Sequence, residues 1–419
     1  MKHSFLLVSL LMLPCLLRSE TVFDPTSPYY FDGSISRPVL ERYLDRSVTA
    51  TYLLRKGPSE GHVFPYTEDN IRMVIHIGAK FIGRAILCWG GEGVLADTAY
   101  IGNATRIAAR LHEADPEMVI QGCLFEYVSS AVNQLPIPAW VFEAFGLPVE
   151  ERNFNSKDMV RHIDPNEPIL WGENGGGVPM ISNLETQLWY YFLARTYIDM
   201  GCEALHLGQV SLISGDNPGK EAYDRLIFLI RQYAASHARR HYVLLDGHVP
   251  QHGFIRHGVS LLDFNSFPLR IKEVVDRPMQ GELQVNHLDA LFCLSKGGIA
   301  PSGWQADHLP YLVEFDNFGR STHTGVADTK DHFCWGYDEI TWFALQPEEE
   351  RNRFLWYAFD WLRRTDPNGH LQMPLIRMIS CDEGARTQHY YFANTRSEAC
   401  PVGYSQEETI KAIWDARLK

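Results

Sequence analysis

Leu309–Gly319 reads LPYLVEFDNFG. Side chains alternate across a strand, so Tyr311, Val313 and Phe315 share one face while Leu312, Glu314 and Asp316 share the other. An apolar strand that closes on two carboxylates, then on Asn317 and Gly319, reads as buried, with its acids at the carboxyl end. In parallel α/β architectures that end is where sites are assembled. The same residues also suit a turn, because Asp and Asn bond their own backbone there.

Working outward, strand-like and helix-like stretches alternate. Val48–Leu54 (VTATYLL), Ala79–Trp89, Met118–Phe125, Cys202–Gln209, His241–Asp246, Val259–Asn265, Leu309–Asp316 and Leu371–Met378 read as eight strands. Between them run helical patterns that start near Thr67, at Asp97–Glu113, at the capping pair Ser182 and Glu185, at Asn217-Pro218, and at Pro347 with the acids Glu348–Glu350. Thr21–Pro38 is Pro- and Tyr-rich and reads as an extended entry. Gln134–Ile181 is a long irregular excursion of the kind that usually binds or covers something. No helix pattern is clear around Val259–Asn265. Alternation over this length argues a parallel sheet with helices outside. Eight strands favour a closed (β/α)8 TIM barrel, with long strand-to-helix loops, over an open sheet. The open sheet would want a glycine-rich phosphate loop after the first strand, and RKGPSEG is not one. The expected division is a signal peptide at 1–19, a barrel at 20–380 and a short C-terminal strand and helix at 381–419.

The chain has 419 residues, 45% hydrophobic and 21% charged, with a formal net charge of −13. Lys2, the apolar run Phe5–Leu13 and the break at Arg18-Ser19-Glu20 have the form of a secretory signal peptide. Cys15 after Pro14 leaves a lipoprotein-type attachment open. Later in the chain no apolar run reaches membrane-spanning length. An acidic chain argues against a nucleic-acid partner. Cys88, Cys123 and Cys202 fall in apolar runs and read as buried thiols, Cys381 and Cys400 are free to pair, and no zinc-type spacing occurs.

Polar residues collect at the strand ends: Glu92, Glu126, Gln209, Asp246 with His248, Asp263 with Asn265, and Glu314 with Asp316. In a barrel these converge on one face as an acidic ring, with Arg84 and Arg270 the nearest cations in sequence. Such a ring suits glycosidic cleavage, where one carboxyl is a general acid and the other a nucleophile or base, or divalent-metal chemistry. Glu314 is the first catalytic candidate, Glu126 the second and Asp246 the third. Gln209, His248, Asp263, Asp316 and Glu92 are candidates for holding hydroxyls or orienting the acids. Trp89, Trp171 and Trp304, beside glycines or in polar loops, are candidate sugar platforms. Trp342, Trp356 and Trp361 read as core.

With its leader, strand-end glutamates and Trp-bearing loops, the chain resembles the superfamily of (β/α)8 glycoside hydrolases over about Val48–Met378. It is also similar to secreted bacterial proteins of carbohydrate-utilisation loci. That resemblance implies secretion or a periplasmic location, an oligo- or polysaccharide substrate and no cofactor. Many retaining members carry Asn-Glu after strand four and Glu after strand seven. Glu314 matches the second position, but the fourth strand ends Gly208-Gln209. The partner acid is then Glu126 or Asp246, or the chain follows another mechanism, or it binds without catalysis. A metal-dependent TIM-barrel enzyme using His206, His248, His252, His287 or His308 is the other catalytic expectation.

Overall fold

The structure, a computed structural model, describes residues 23–55, 66–164, 167–168, 176–215, 218–380 and 389–416. The signal segment, Trp171 and Cys381 lie outside the described residues. Eight strands pair in chain order: β1 (Ser47–Ala50), β2 (Phe81–Leu87), β3 (Val119–Cys123), β4 (Ala204–Gln209), β5 (Leu244–His248), β6 (Asn265–Pro268), β7 (Tyr311–Glu314) and β8 (Gly369–Ile379). All of these pairs are parallel, and β8 pairs with β1 to close the barrel. A ninth strand, β9 (His389–Phe392), adds antiparallel to the far end of β8.

The alternation seen in the sequence is realised by α2 (Thr67–Ile77), α3 (Thr98–Ala114), α4 (Leu184–Met200), α5 (Pro218–His237), α6 (Glu339–Leu345) and α7 (Glu348–Thr365). The chain ends on α8 (Glu407–Ala416), which Arg72 of α2 ties down through Glu407. Two departures matter. Helix α1 (Arg37–Asp45) begins at Arg37 and Pro38, the end of the expected entry, and fills the stretch before β1 that had no assignment. Its Leu40, Tyr43 and Leu44 join Phe81, Val119, Ala204, Leu244 and Leu312 in one apolar cluster, so it plugs the amino-terminal end of the barrel. Second, no helix follows β5 or β6; residues 249–310 instead form short strands, among them a four-stranded sheet of Ile255–Arg256, Val259–Ser260, Gly298–Ile299 and Gln305–Ala306. The sixth strand therefore begins at Asn265, where the expected one ends.

Below the strands sits a buried charge cluster. Glu203, just before β4, accepts from Arg239 Nη1 at 3.0 Å and lies 3.3 Å from Arg240 Nε, with His112 at 3.5 Å. Burial disfavours its charge, but His112, Arg239 and Arg240 outweigh that and hold the carboxyl below its usual value. Arg240 also donates to Phe31 O and Pro116 O, tying the entry segment to the base. Removing one member of such a group strands the others without solvent. Glu203→Gln is expected to cost about 3–5 kcal/mol in urea unfolding at pH 7. The loss shrinks as pH falls through the folded value, because a depressed carboxyl contributes only while ionised.

Candidate functional site

The barrel interior turns from apolar to polar along its axis. Above the plug layer, Gln121 on β3, His206 on β4 and Asp246 on β5 form a buried chain. Gln121 Nε2 donates to Asp246 Oδ1 at 2.6 Å, and His206 Nδ1 lies 2.8 Å from Asp246 Oδ2. A carboxylate only accepts, so His206 carries its proton on Nδ1. Asp246 thus has both oxygens committed to its neighbours one turn of the pleat below His248.

The next layer centres on Glu314, the last residue of β7. Arg84 grips it with two donors, Nε to Oε2 at 2.9 Å and Nη2 to Oε1. His248 Nε2 donates to Oε1 at 2.9 Å, and Arg377 Nη1 stands 3.7 Å from Oε2. Arg377 Nη2 reaches Asp316 Oδ1 at 2.8 Å, and Arg84 Nη2 lies 3.6 Å from the same oxygen. Burial opposes charge on Glu314, but the two guanidinium groups and His248 hold its carboxyl well below the ordinary range. Glu314 is therefore a desolvated anion at neutral pH.

Both arginines arrive through irregular backbone. Arg84 has φ +58°, a conformation L residues adopt at a cost, and the β2–β3 register shifts between Ile82 and Ile86. The turn of the chain sends Arg84 inward. Arg377 follows a register shift where Thr49 and Ala50 oppose Pro374 and Ile376.

Around the mouth, Glu126 follows β3 and receives the Gln209 backbone N–H on Oε2 and the Gln209 side-chain amide on Oε1, both at 3.0 Å. Gln209 is in register with His248. Glu126 thus bonds Gln209, Gln209 pairs with His248 in the sheet, and His248 bonds Glu314. Gly208, φ +62°, lets the strand end pass here, since a Cβ would meet Glu126 Oε2 at 2.2 Å. Beside these residues, Trp89 stacks on Tyr127 with centroids 4.9 Å apart and planes 7° off parallel, and its indole is 43% exposed. Glu339, at the start of α6, joins the ends of β6 and β7 by accepting from Arg270 N and Asp316 N. Burial pushes its carboxyl up to about 8, against the pull of Arg270.

Two expected site residues are elsewhere. Asp263 precedes β6 at the amino-terminal end, where it accepts from Arg231, Tyr242 and Leu245 N. Trp304 donates to Ile35 O and packs with the plug. Glu92 stays at the carboxyl end, in the loop after β2, but both its oxygens are committed, accepting from the Ser129 backbone N–H and hydroxyl. The acidic ring with few cations is corrected too: Arg84 and Arg377 stand inside it. Nothing in the sequence singles out Arg377, Gln121 or Glu339.

Replacing Arg84 leaves Glu314 with an uncompensated share of buried charge. Arg84→Met is expected to lower stability by about 3–5 kcal/mol at pH 7 in denaturant titration. The deficit is expected to narrow toward pH 4, because Glu314 in the variant takes up a proton at higher pH than in the wild type.

No protein-family model and no curated protein sequence matches the chain. Among solved structures it is similar to the cyclic alpha-maltosyl-(1-->6)-maltose hydrolase of Arthrobacter globiformis, at 12% identity and a TM-score of 0.48, over 90% of this chain and 84% of that one. It is similar to the glycoside hydrolase domain of PelA from Pseudomonas aeruginosa at 9% identity and a TM-score of 0.35, over 78% of this chain and 94% of that one. The likeness to an alpha-galactosidase from Thermus thermophilus has 12% identity and a TM-score of 0.30, and covers 48% of this chain. The chain spans 37% of that galactosidase.

Proposed function

We propose that this chain is a secreted glycoside hydrolase acting on an oligo- or polysaccharide, with Glu314 as nucleophile or base and Glu126 as general acid. The observation that carries it is the Glu314 carboxylate: buried, kept ionised by Arg84, Arg377 and His248, and joined through His248 and Gln209 to a second carboxyl beside an exposed aromatic stack. A carboxylate offers about four lone-pair positions. Arg84 takes two and His248 one, which leaves one for a sugar carbon or a water. Trp89 on Tyr127 supplies a flat apolar face of the kind that sugar C–H groups cover.

In this scheme Glu126 gives its proton to the leaving glycosidic oxygen as that C–O bond breaks. Glu314 either bonds the anomeric carbon, to be released by water that Glu126 deprotonates, or takes the proton from a water attacking directly. Asp246, with both oxygens engaged below, acts as a positioning residue that fixes His206 and Gln121.

Metal-dependent chemistry has one observation in its favour, since His248, Glu314 and Asp316 offer ligand atoms within 4.8 Å of one another. The charges weigh against it: Arg84 and Arg377 already neutralise both carboxylates, and a cation there would sit against two guanidinium groups. A non-catalytic sugar-binding barrel is favoured by Gln209 standing where an acid is usual.

Two variants separate these. On a substrate found by screening polysaccharides and aryl glycosides, Glu314→Gln is expected to lose about 10³-fold or more in kcat with ligand affinity retained. Glu126→Gln is expected to lose most on poor leaving groups and least on an activated aryl glycoside, because the lost step is proton donation. Turnover that survives Glu314→Gln, or that a chelator abolishes, contradicts the proposal. A sugar-binding barrel shows affinity and no turnover in any form.

A further inference from the structure

Ile82 of β2 lies opposite Ile120 of β3, and Ile86 lies opposite Gly122, so four steps along β2 face two along β3. Arg84 sits in the middle of this bulge with its backbone left-handed. Its carbonyl accepts from Tyr52 N, just after β1, at 3.2 Å. Toward β3 its N–H meets a side chain: Gln121 Oε1 accepts it at 3.1 Å. Gln121 is the residue that the bulge straddles, and a buried backbone N–H requires a partner. The amide is oriented from its other end. Gln121 Nε2 donates to Asp246 Oδ1 at 2.6 Å, and Asp246 Oδ2 accepts from His206 Nδ1 at 2.8 Å. A carboxylate only accepts, so the NH2 group faces Asp246 and the carbonyl is left for Arg84. Gly83 makes room for this arrangement, since a Cβ there would meet Gln372 Nε2 at 2.3 Å and Gln121 Oε1 at 3.2 Å. Asp246 fixes Gln121; what Gln121 itself fixes is the backbone of Arg84.

We propose that Gln121 is the positioning residue that holds Arg84 on Glu314, its side-chain carbonyl standing in for the ladder partner that the bulge removes. Left-handed backbone at a residue with a Cβ persists only where its surroundings enforce it. Here a buried amide, itself clamped by Asp246 and His206, is the enforcing group. Glutamine suits the task because it accepts with one end and donates with the other while carrying no charge. Without its carbonyl, Arg84 N–H is left unpaired in the interior and the chain is free to return to ordinary φ. Regular alternation then carries the guanidinium away from Glu314, which it now grips with two donors. The layer below the mouth thus acts on Glu314 through the backbone of β2. Only the effect on turnover rests on the proposed hydrolysis; the effect on the ion pair does not.

The titration midpoint of Glu314 in the full-length protein, read by carboxyl ¹³C NMR, reports the ion pair. Gln121→Leu removes both amide groups and is expected to raise that midpoint by about one pH unit or more. Gln121→Asn, one methylene shorter, withdraws the carbonyl from Arg84 N and is expected to act in the same direction, which keeps the test open where the leucine variant does not fold. Gln121→Glu retains both bonds as the neutral acid, its carbonyl toward Arg84 and its O–H toward Asp246, and is expected to keep the midpoint within about 0.3 of the wild type. Glu203→Gln, which weakens the base without touching Arg84, is expected to leave it equally unmoved. On a substrate that is turned over, Gln121→Leu is expected to lower kcat about tenfold or more with KM little changed. An unmoved midpoint in the folded Leu or Asn variant overturns the proposal, as does an equal rise in Gln121→Glu or in Glu203→Gln. Raised midpoints in a protein that turns over no glycoside overturn the hydrolytic reading and uphold the role of Gln121.

Discussion

The ion pair between Arg84 and Glu314 is the constraint on which the carboxyl end of this barrel depends. A carboxylate with 3% exposure needs compensation, and a bidentate guanidinium provides it with fixed geometry. Bringing Arg84 there requires a positive φ inside a strand and a slip of the β2–β3 register. Backbone strain of that kind persists only where surroundings enforce it. Arg377 and His248 then complete the cage from β8 and β5. Four strands that are distant in sequence are thereby tied at one anion, and the mouth of the barrel takes its shape from them.

The apolar plug and the site are kept at opposite ends. The amino-terminal end is closed by α1 and the Glu203 cluster, with aromatic and aliphatic residues filling the interior. The carboxyl end holds polar groups that are satisfied by one another: Gln121 with Asp246, Asp246 with His206, Glu126 with Gln209. Low dielectric strengthens each of these bonds and makes each loss costly. Substitutions at the base should therefore report on folding alone, and those at the mouth on folding and chemistry together.

Much of the fold was legible because period-2 runs and helical stripes alternate regularly. The place of Glu314 at a strand end was legible because Leu309–Val313 is an unbroken apolar run that closes on it. The sequence sets Asp263 near a strand's carboxyl end because VSLLDFN is one apolar run, and nothing in it marks that pairing begins at Asn265 rather than ends there. Trp304 sits in a polar, glycine-bearing loop, but that loop crosses beneath the barrel, a fact of tertiary path alone. The role of Arg84 was hidden by its neighbours. Between Gly83 and Ala85, regular alternation sends it outward with Ile82, and only the left-handed turn reverses that. Arg377 was hidden likewise by the irregularity near Pro374.

Glu314 is an anion held ready at the mouth of the barrel. Carboxyl ¹³C NMR of the intact protein, with the Glu314 signal assigned by its disappearance in Glu314→Gln, measures this directly. No titration of that signal is expected between about pH 4.5 and 7, with protonation only at lower pH. A midpoint at or above about 4.5, the ordinary value for a glutamate, would contradict it.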